Sequence, residues 1–459
     1  MSEQPGQRSL RSLPSVDRVL REVGECDVPR PALVAVIRRE LDAIRSSMLT
    51  APASDGAMRR IRDAIDDLRR ATIQPVINGT GIIIHTNFGR SPLGRSVIDA
   101  IAEAGSNYNN LEYDLTGGAR GGRAAYLEHN LAVLCEAEAA TVVNNCAAAL
   151  VLILRHLTKE ARKNVIASRG ELVQIGGGFR VPEILEASGA TLREVGTTNK
   201  TTLEDYQRAI DDSTAMLLRV HRSNFYMEGF VDSPDVTELA RLSKESHIPL
   251  VVDLGSGAMF ETTTLGGDER EPTPAQTLAS GADLVCFSGD KLLGGPQSGI
   301  IAGNRQSIDA IKKEPFFRAL RCDKLILAGL EATVDLHLQQ QTDQIPIFAM
   351  MKMTEEVLGT RAQRLVQRLG HLPLGARVGS GRSQVGGGTL PQTEINSVTV
   401  DLSPQDRSLE QLARQLRSQQ PAVVGYIAED RFKLDLRTIF EHQEDALVEV
   451  VETVVKQQL

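Results

Sequence analysis

The chain has 459 residues, 41% hydrophobic and 24% charged, which fits a soluble globular protein of about three domains. Its five cysteines (Cys26, Cys135, Cys146, Cys286 and Cys322) are scattered and form no CxxC pair, which excludes a disulfide framework and a zinc ribbon. The net charge of −8 makes no overall case for nucleic acid, yet residues 1–70 carry 13 Arg, no Lys and 11 Asp or Glu, a slightly basic head on an acidic body. Arginine forks suit phosphate, so an RNA contact by the head stays open. The N-terminus has no signal-peptide core, and the apolar run at 147–154 is too short to span a bilayer. The expectation is a cytoplasmic protein with no membrane span.

In chain order, the first seventy residues read as helices. Leu33, Ile37, Leu41, Ile44 and Met48 recur at steps of three and four, and Pro31 suits a first turn. Residues 49–57 read as a break, followed by an amphipathic helix over 58–70. From about residue 75, short β-rich runs alternate with helices. Strands are expected at 141–144, 165–167, 216–220, 250–253, 284–288 and 299–302, with helices at 147–156 and 236–246 among them. That alternation predicts an α/β fold with a mostly parallel sheet, whose ligands bind beyond the carboxyl ends of the strands. After about residue 335 the pattern turns α+β. The expected domains are 1–70, 71–335 and 336–459.

The strand ends carry the chemistry. "SGDKLLGGPQSG" (288–299) places Lys291 just past an apolar strand. Its glycines follow the lysine, the reverse of a nucleotide P-loop. A lysine at that position suits an imine-forming role, which requires partial desolvation. "PLVVDLGSG" ends another strand at Asp253, a helix cap or a functional acid. In pyridoxal-phosphate enzymes such an Asp pairs with the ring nitrogen. The order strand–Asp, helix, strand–Lys is that of a fold type I pyridoxal-phosphate enzyme, the aspartate-aminotransferase-like class.

Other stretches fit the same cofactor, each with a plainer alternative. "VVNNCAAALVLIL" runs from a strand through Asn145 into a helix, whose first amides, Cys146 and Ala147, would hold a phosphate. The alternative is an ordinary capped helix. Ser288 could add a phosphate contact. In "RVHRSNF", Asn224 could reach the cofactor's phenolic oxygen or simply make a turn. In "HTNFGR", His85 and Arg90 could hold an anionic co-substrate. Arg318 and Arg321, three apart on an expected helix, would share a face and clamp an oxyanion, or be plain surface charges. Arg120 and Arg123 lie on a basic glycine loop. The glycine-rich stretches at 175–180 and 375–388 do not satisfy GxGxxG.

Taken in order, "INGTGIIIHTNFGRSPLG", "VVNNCAAA", "SRGELVQIGGGFRVPEI", "EVGTTNKT", "VHRSNF", "VVDLGSG" and "FSGDKLLGGPQSGIIAG" resemble bacterial selenocysteine synthase, the L-seryl-tRNA(Sec) selenium transferase family. The head, with "RSLPSVDRVLRE", is similar to that family's N-terminal domain. The resemblance implies a pyridoxal-phosphate enzyme that converts seryl-tRNA(Sec) to selenocysteinyl-tRNA(Sec) with selenophosphate as donor. It implies that Lys291 holds the cofactor covalently, that Asp253 pairs with the ring nitrogen, and that Arg90, Arg318 and Arg321 bind selenophosphate. It further implies a tRNA-binding head and a ring-shaped homodecamer built from dimers. The rivals are a related pyridoxal-phosphate lyase acting on a small phosphorylated amino acid or sugar acid, a cysteine desulfurase using Cys322, and a non-catalytic tRNA-binding protein.

Overall fold

The computed structural model describes residues 13–24, 27–48, 56–159, 161–265 and 270–456. Cys26 and most of the expected break at 49–57 lie outside them. The chain divides into two compact units, residues 1–76 with 414–422, and residues 77–413 with 423–459.

The first unit holds α1 (Val16–Val23), α2 (Arg30–Met48) and α3 (Ala57–Arg70). Ser15 caps α1 by accepting from the Arg18 amide. The apolar stripe of α2 packs as its spacing predicts: Leu33, Ile37 and Leu41 are buried together with Val19, Ile61 and Ile65.

The second unit is organised on a seven-stranded sheet: β1 (Ala139–Val143), β2 (Asn164–Ser168), β3 (Thr191–Val195), β4 (Thr214–Val220), β5 (Leu250–Gly255), β6 (Leu284–Ser288) and β7 (Gly299–Gly303). The spatial order is β1-β7-β6-β5-β4-β2-β3. Only β7 runs antiparallel to its neighbours, β6 and β1. Six of the seven lie where the sequence pattern places strands, within one or two residues at each end. The edge strand β3 is an addition to that pattern.

Helices cover both faces, among them α4 (Cys146–Leu157), α5 (Val236–Ser246), α6 (Pro274–Ala279), α7 (Pro315–Leu320) and α8 (Lys324–Leu338). Because successive strand residues point to opposite faces, the core divides in two. Leu250, Val252 and Leu254 of β5 join the layer that contains Leu239 of α5 and Leu330 of α8. Val251 joins the other layer, with Leu150 and Ile153 of α4 and Cys286 of β6. Asp253 follows Val251 by two residues, so the period of the strand aims its carboxylate toward the start of α4. The ladder between β5 and β6 slips between Asp253 and Gly255, a bulge that ends regular pairing just past the carboxylate.

A second, antiparallel sheet is built from β8 (Arg377–Gln384), β9 (Glu394–Leu402), β10 (Tyr426–Ala428) and β11 (Arg431–Asp435), in the order β8-β9-β11-β10. Helix α9 (Glu355–Leu369) packs on it. In the loop after β8, Gly386, Gly387 and Gly388 all have positive φ (75°, 63° and 77°), a conformation L side chains rarely adopt.

Candidate active site

A cavity of about 310 Å³ opens at the carboxyl ends of β4, β5 and β6 and at the first turn of α4. Its wall includes six residues singled out from the sequence: Arg90, Cys146, Ala147, Asp253, Ser288 and Lys291. Parallel strands ending side by side bring these distant positions together.

Lys291 is 4% exposed and sits three residues past the end of β6. Its turn is fastened at several points. The Lys291 carbonyl accepts from Ser91 Oγ (2.9 Å) and from the Gly294 amide (2.9 Å), and the Leu292 amide donates to the Ser256 carbonyl (2.9 Å). Burial lowers the ammonium pKa; the charge of Arg90 adds to that, while Cys146, Asp253 and Asp290 oppose it. A lysine held closer to its neutral form is a better nucleophile.

Asp253 is 9% exposed, and burial raises its carboxyl pKa against the pull of Lys291 and the thiols of Cys146 and Cys286. Cys146 Sγ lies 3.6 Å from Asp253 Oδ1. Asn145 caps α4, its side chain accepting from the Ala148 amide (2.8 Å). The Cys146 and Ala147 amides come earlier in the turn and have no intrahelical acceptor, so they are donors for an anion.

These donors fit pyridoxal phosphate. A buried acid suits a cationic ring nitrogen, a buried amine suits the aldehyde carbon, and a helix N-terminus suits a phosphate. The backbone leaves room as well. A Cβ on Gly255 (φ 68°) would stand 3.1 Å from Ser223 Oγ and 3.8 Å from Lys291 Nζ. One on Gly388 would stand 3.2 Å from the same Nζ.

Of the remaining candidates, one lines the cavity and the others do not. Arg90 lines the cavity at a positive φ of 66°, and its Nη1 donates to both carboxylate oxygens of Asp290 (2.9 and 3.1 Å). His85 stacks on Phe88 with ring centroids 3.9 Å apart, and its Nδ1 accepts from the Asn87 amide; it is not part of the cavity wall. Asn224 is not part of it either. Its amide donates to the Gln174 carbonyl (3.0 Å), and its Cβ lies beside Gly388. Arg318 and Arg321 do not share a helix face. α7 ends at Leu320, and Arg321 is extended (φ −66°, ψ 145°). Its guanidinium pairs with Glu112 (3.2 Å), as do those of Arg120 and Arg123 (both 2.8 Å). Arg318 is exposed on α7. Cys322 is buried, which pushes its thiol up to about 12 and disfavours the mobile nucleophile a desulfurase requires.

Comparison with known proteins settles the family. The sequence model for L-seryl-tRNA selenium transferase matches residues 76–440. The chain belongs to the L-seryl-tRNA selenium transferase family. An L-seryl-tRNA(Sec) selenium transferase of Carboxydothermus hydrogenoformans is 41% identical over 451 residues, 96% of each chain. One from Aquifex aeolicus is 42% identical over 434 residues, 94% of this chain and 95% of its own. Among solved structures, a D-glucosaminate-6-phosphate ammonia-lyase superposes with a TM-score of 0.60 at 21% identity, covering 85% of this chain and 98% of that one, a likeness of fold.

Two features at or beside the cavity of this selenium transferase family member do not announce themselves in its sequence. Gly388, the last of the triple glycine 386–388, lies beside Lys291, and the stretch fits no nucleotide-loop pattern. His221, four residues from the family stretch's end at Phe225, lines the cavity and bonds to Glu271 (2.9 Å). Glu271 belongs to a charged stretch of sequence, "DEREPTP", that reads as solvated surface. Nothing in its spacing announces burial.

Proposed function

We propose that this protein converts seryl-tRNA(Sec) to selenocysteinyl-tRNA(Sec), using pyridoxal phosphate and selenophosphate. The observation that carries the reading is the buried Lys291–Asp253 pair beside the free amides of α4, in a chain about 41% identical end to end to proteins named for this activity. Pyridoxal phosphate supplies an electron sink for the charge left when the α-proton departs. Lys291 would hold the cofactor, and its amine would take the α-proton of the seryl group. Asp253 holds the ring nitrogen in its protonated form. The Cys146 and Ala147 amides take the cofactor phosphate, with Ser288 at the end of β6 beside them. Arg90, on the cavity wall, holds the anionic selenium donor. Arg318 and Arg321 lie outside the wall of their own chain, so a share in donor binding calls for a second subunit.

The helical head is the proposed tRNA-binding domain. Seven of its arginines are ion-paired, whereas Arg38 and Arg59 are exposed and have no ion-pair partner among the described residues. No helix among the described residues is long and apolar enough to cross a membrane. A cytoplasmic location and a homodecamer of dimers belong to the same proposal.

The test is direct. Protein purified with pyridoxal phosphate should show the absorbance of a lysine-bound cofactor, lost in Lys291→Ala, and should bind tRNA(Sec) in preference to tRNA(Ser). No such absorbance would refute the enzyme. Absorbance without tRNA preference would favour a lyase acting on a small phosphorylated substrate.

A further inference from the structure

The transferase reading leaves one proton unassigned. A seryl hydroxyl is a poor leaving group and departs readily only as water. Five titratable side chains line the cavity: Arg90, Cys146, His221, Asp253 and Lys291. A guanidinium is too weak an acid for this step, and Arg90 is hydrogen-bonded to Asp290. The Cys146 thiol donates to Asp253, and Asp253 faces the ring nitrogen. Lys291 takes the α-proton. That leaves His221.

The placement of His221 is over-determined. It directly follows β4, and its amide donates to the Asp253 carbonyl (2.8 Å), so its backbone is locked to the strand that carries the acid. Its Nε2 lies 2.9 Å from Glu271 Oε2. Glu271 is 3% exposed and also accepts from Ser256 Oγ (2.8 Å) and the Leu390 amide (3.0 Å). One buried carboxylate thus ties together the end of β5, the end of the triple-glycine loop and the imidazole. Burial alone would raise its pKa, but His221 together with the Leu390 and Ser256 hydrogen bonds outweighs burial and holds it below the ordinary value. The other charged groups near the ring are Glu171 with its partner Arg219, Arg222, and across the cavity Asp253, Lys291 and Arg90. Nδ1 has no hydrogen-bond partner among the described residues.

We propose that His221, oriented by Glu271, is the general acid that protonates the departing hydroxyl of the seryl group. The inference rests on the transferase reading. The α-proton passes to Lys291. The Cβ–O bond breaks with its electron pair on oxygen, and the Nδ1 proton of the imidazolium joins that oxygen, so water leaves. Neutral imidazole remains, its Nε2–H on Glu271, and regains a proton from solvent. A carboxylate behind an imidazole fixes its tautomer and the orientation of its ring, so Glu271 is a positioning residue.

The experiment compares leaving groups. Full-length wild type, His221→Gln and Glu271→Gln are loaded with pyridoxal phosphate and given seryl-tRNA(Sec) or β-chloroalanyl-tRNA(Sec); chloride departs without a proton. Three quantities are read: the lysine-bound cofactor absorbance, α-deuterium uptake from D₂O, and formation of the dehydroalanyl product. His221→Gln should keep the absorbance and the deuterium uptake. It should lose elimination from the seryl substrate by about 100-fold or more, the lower end of general acid catalysis, and retain elimination from the chloro substrate. Glu271→Gln should show the same pattern with a smaller loss. Equal loss on both substrates, or no loss on either, overturns the proposal. So does loss of cofactor absorbance at unchanged melting temperature, which would make His221 a cofactor-binding residue. Wild type that neither forms the dehydroalanyl product nor returns α-deuterated seryl-tRNA(Sec) would refute the transferase reading itself, an outcome distinct from the others.

Discussion

Gly388→Ala separates the chemistry of Lys291 from the stability of its loop. At φ 77° an alanine sits in the left-handed region, at a cost of about 1–2 kcal/mol. Its Cβ would lie 3.2 Å from Lys291 Nζ and 3.6 Å from Asn224 Cβ. Nothing rigid stands closer. The easiest relief is for the tip of the lysine to shift by a few tenths of an ångström, so the contact adds little to unfolding but moves the reactive nitrogen. Gly387→Ala is the control. Its φ of 63° carries the same strain, but its Cβ would meet Ile84, 2.6 Å from the carbonyl and 2.5 Å from Cγ2, away from the lysine. Melting should therefore fall in both variants, and further in Gly387→Ala, where backbone must move. Titration with pyridoxal phosphate, followed by absorbance, should show weakened attachment chiefly in Gly388→Ala. If Gly388→Ala captures cofactor as wild type does, or if the two variants lose capture in proportion to lost stability, the loop has no specific part in placing Lys291.

Asp253→Asn has a signed pH signature. Burial raises the folded carboxyl pKa above its unfolded value, so the stability that goes with the protonated form is full below about pH 3.9 and is lost as pH rises through the folded value. Cofactor-free Asp253→Asn should therefore melt higher than wild type at neutral pH, an advantage that closes on acidification, while turnover with cofactor collapses; thermal scans across pH check it. Arg90→Ala leaves Asp290, 5% exposed, without that donor, at a cost of about 1–3 kcal/mol. Adding Asp290→Asn should restore most of the stability in denaturant titrations but not the KM for selenophosphate. Arg38→Glu and Arg59→Glu should weaken tRNA(Sec) binding and flatten its salt dependence by about 0.7–0.9 per lost phosphate contact, with the cofactor absorbance unchanged. An unchanged slope would remove these arginines from the interface.

The legibility of this protein follows burial. β5 and β6 are almost wholly buried, so they stand out as apolar runs, and the polar residues near their carboxyl ends present themselves as site candidates. β3 is hidden because it lies at the sheet edge, where "TLREV" carries Arg193 and Glu194 and is buried fully only at Val195. Lys291 and Asp253 can be paired because both stand within three residues of the ends of neighbouring strands. The arginine clamp fails as a helix-face argument because α7 stops one residue before Arg321, a boundary that spacing cannot fix. Glu271 and the triple glycine lie beyond the sequence for a different reason. Their meaning is tertiary: one is an acidic residue whose partners come from three distant segments, and the other is a loop defined by the lysine it touches.

The electrostatics of the cavity give the cofactor a thermodynamic role as well as a chemical one. Burial opposes charge on both Asp253 and Lys291, raising one pKa and lowering the other, and their mutual attraction offsets only part of that. A ligand bringing a protonated ring nitrogen to Asp253, a carbonyl carbon to Lys291 and a phosphate to the amides of α4 meets each group with its complement. Such a ligand binds the folded unit and not the unfolded chain, so it stabilises by about 2.7 kcal/mol at a hundredfold excess over its Kd. Asp253→Asn removes one of the three complements, so pyridoxal phosphate should raise its melting temperature less than that of wild type, even though the cofactor-free variant starts higher. Equal increments in the two proteins would mean that the ring nitrogen is not held by Asp253, and the assignment of the cavity would have to be rebuilt from the α4 amides outward.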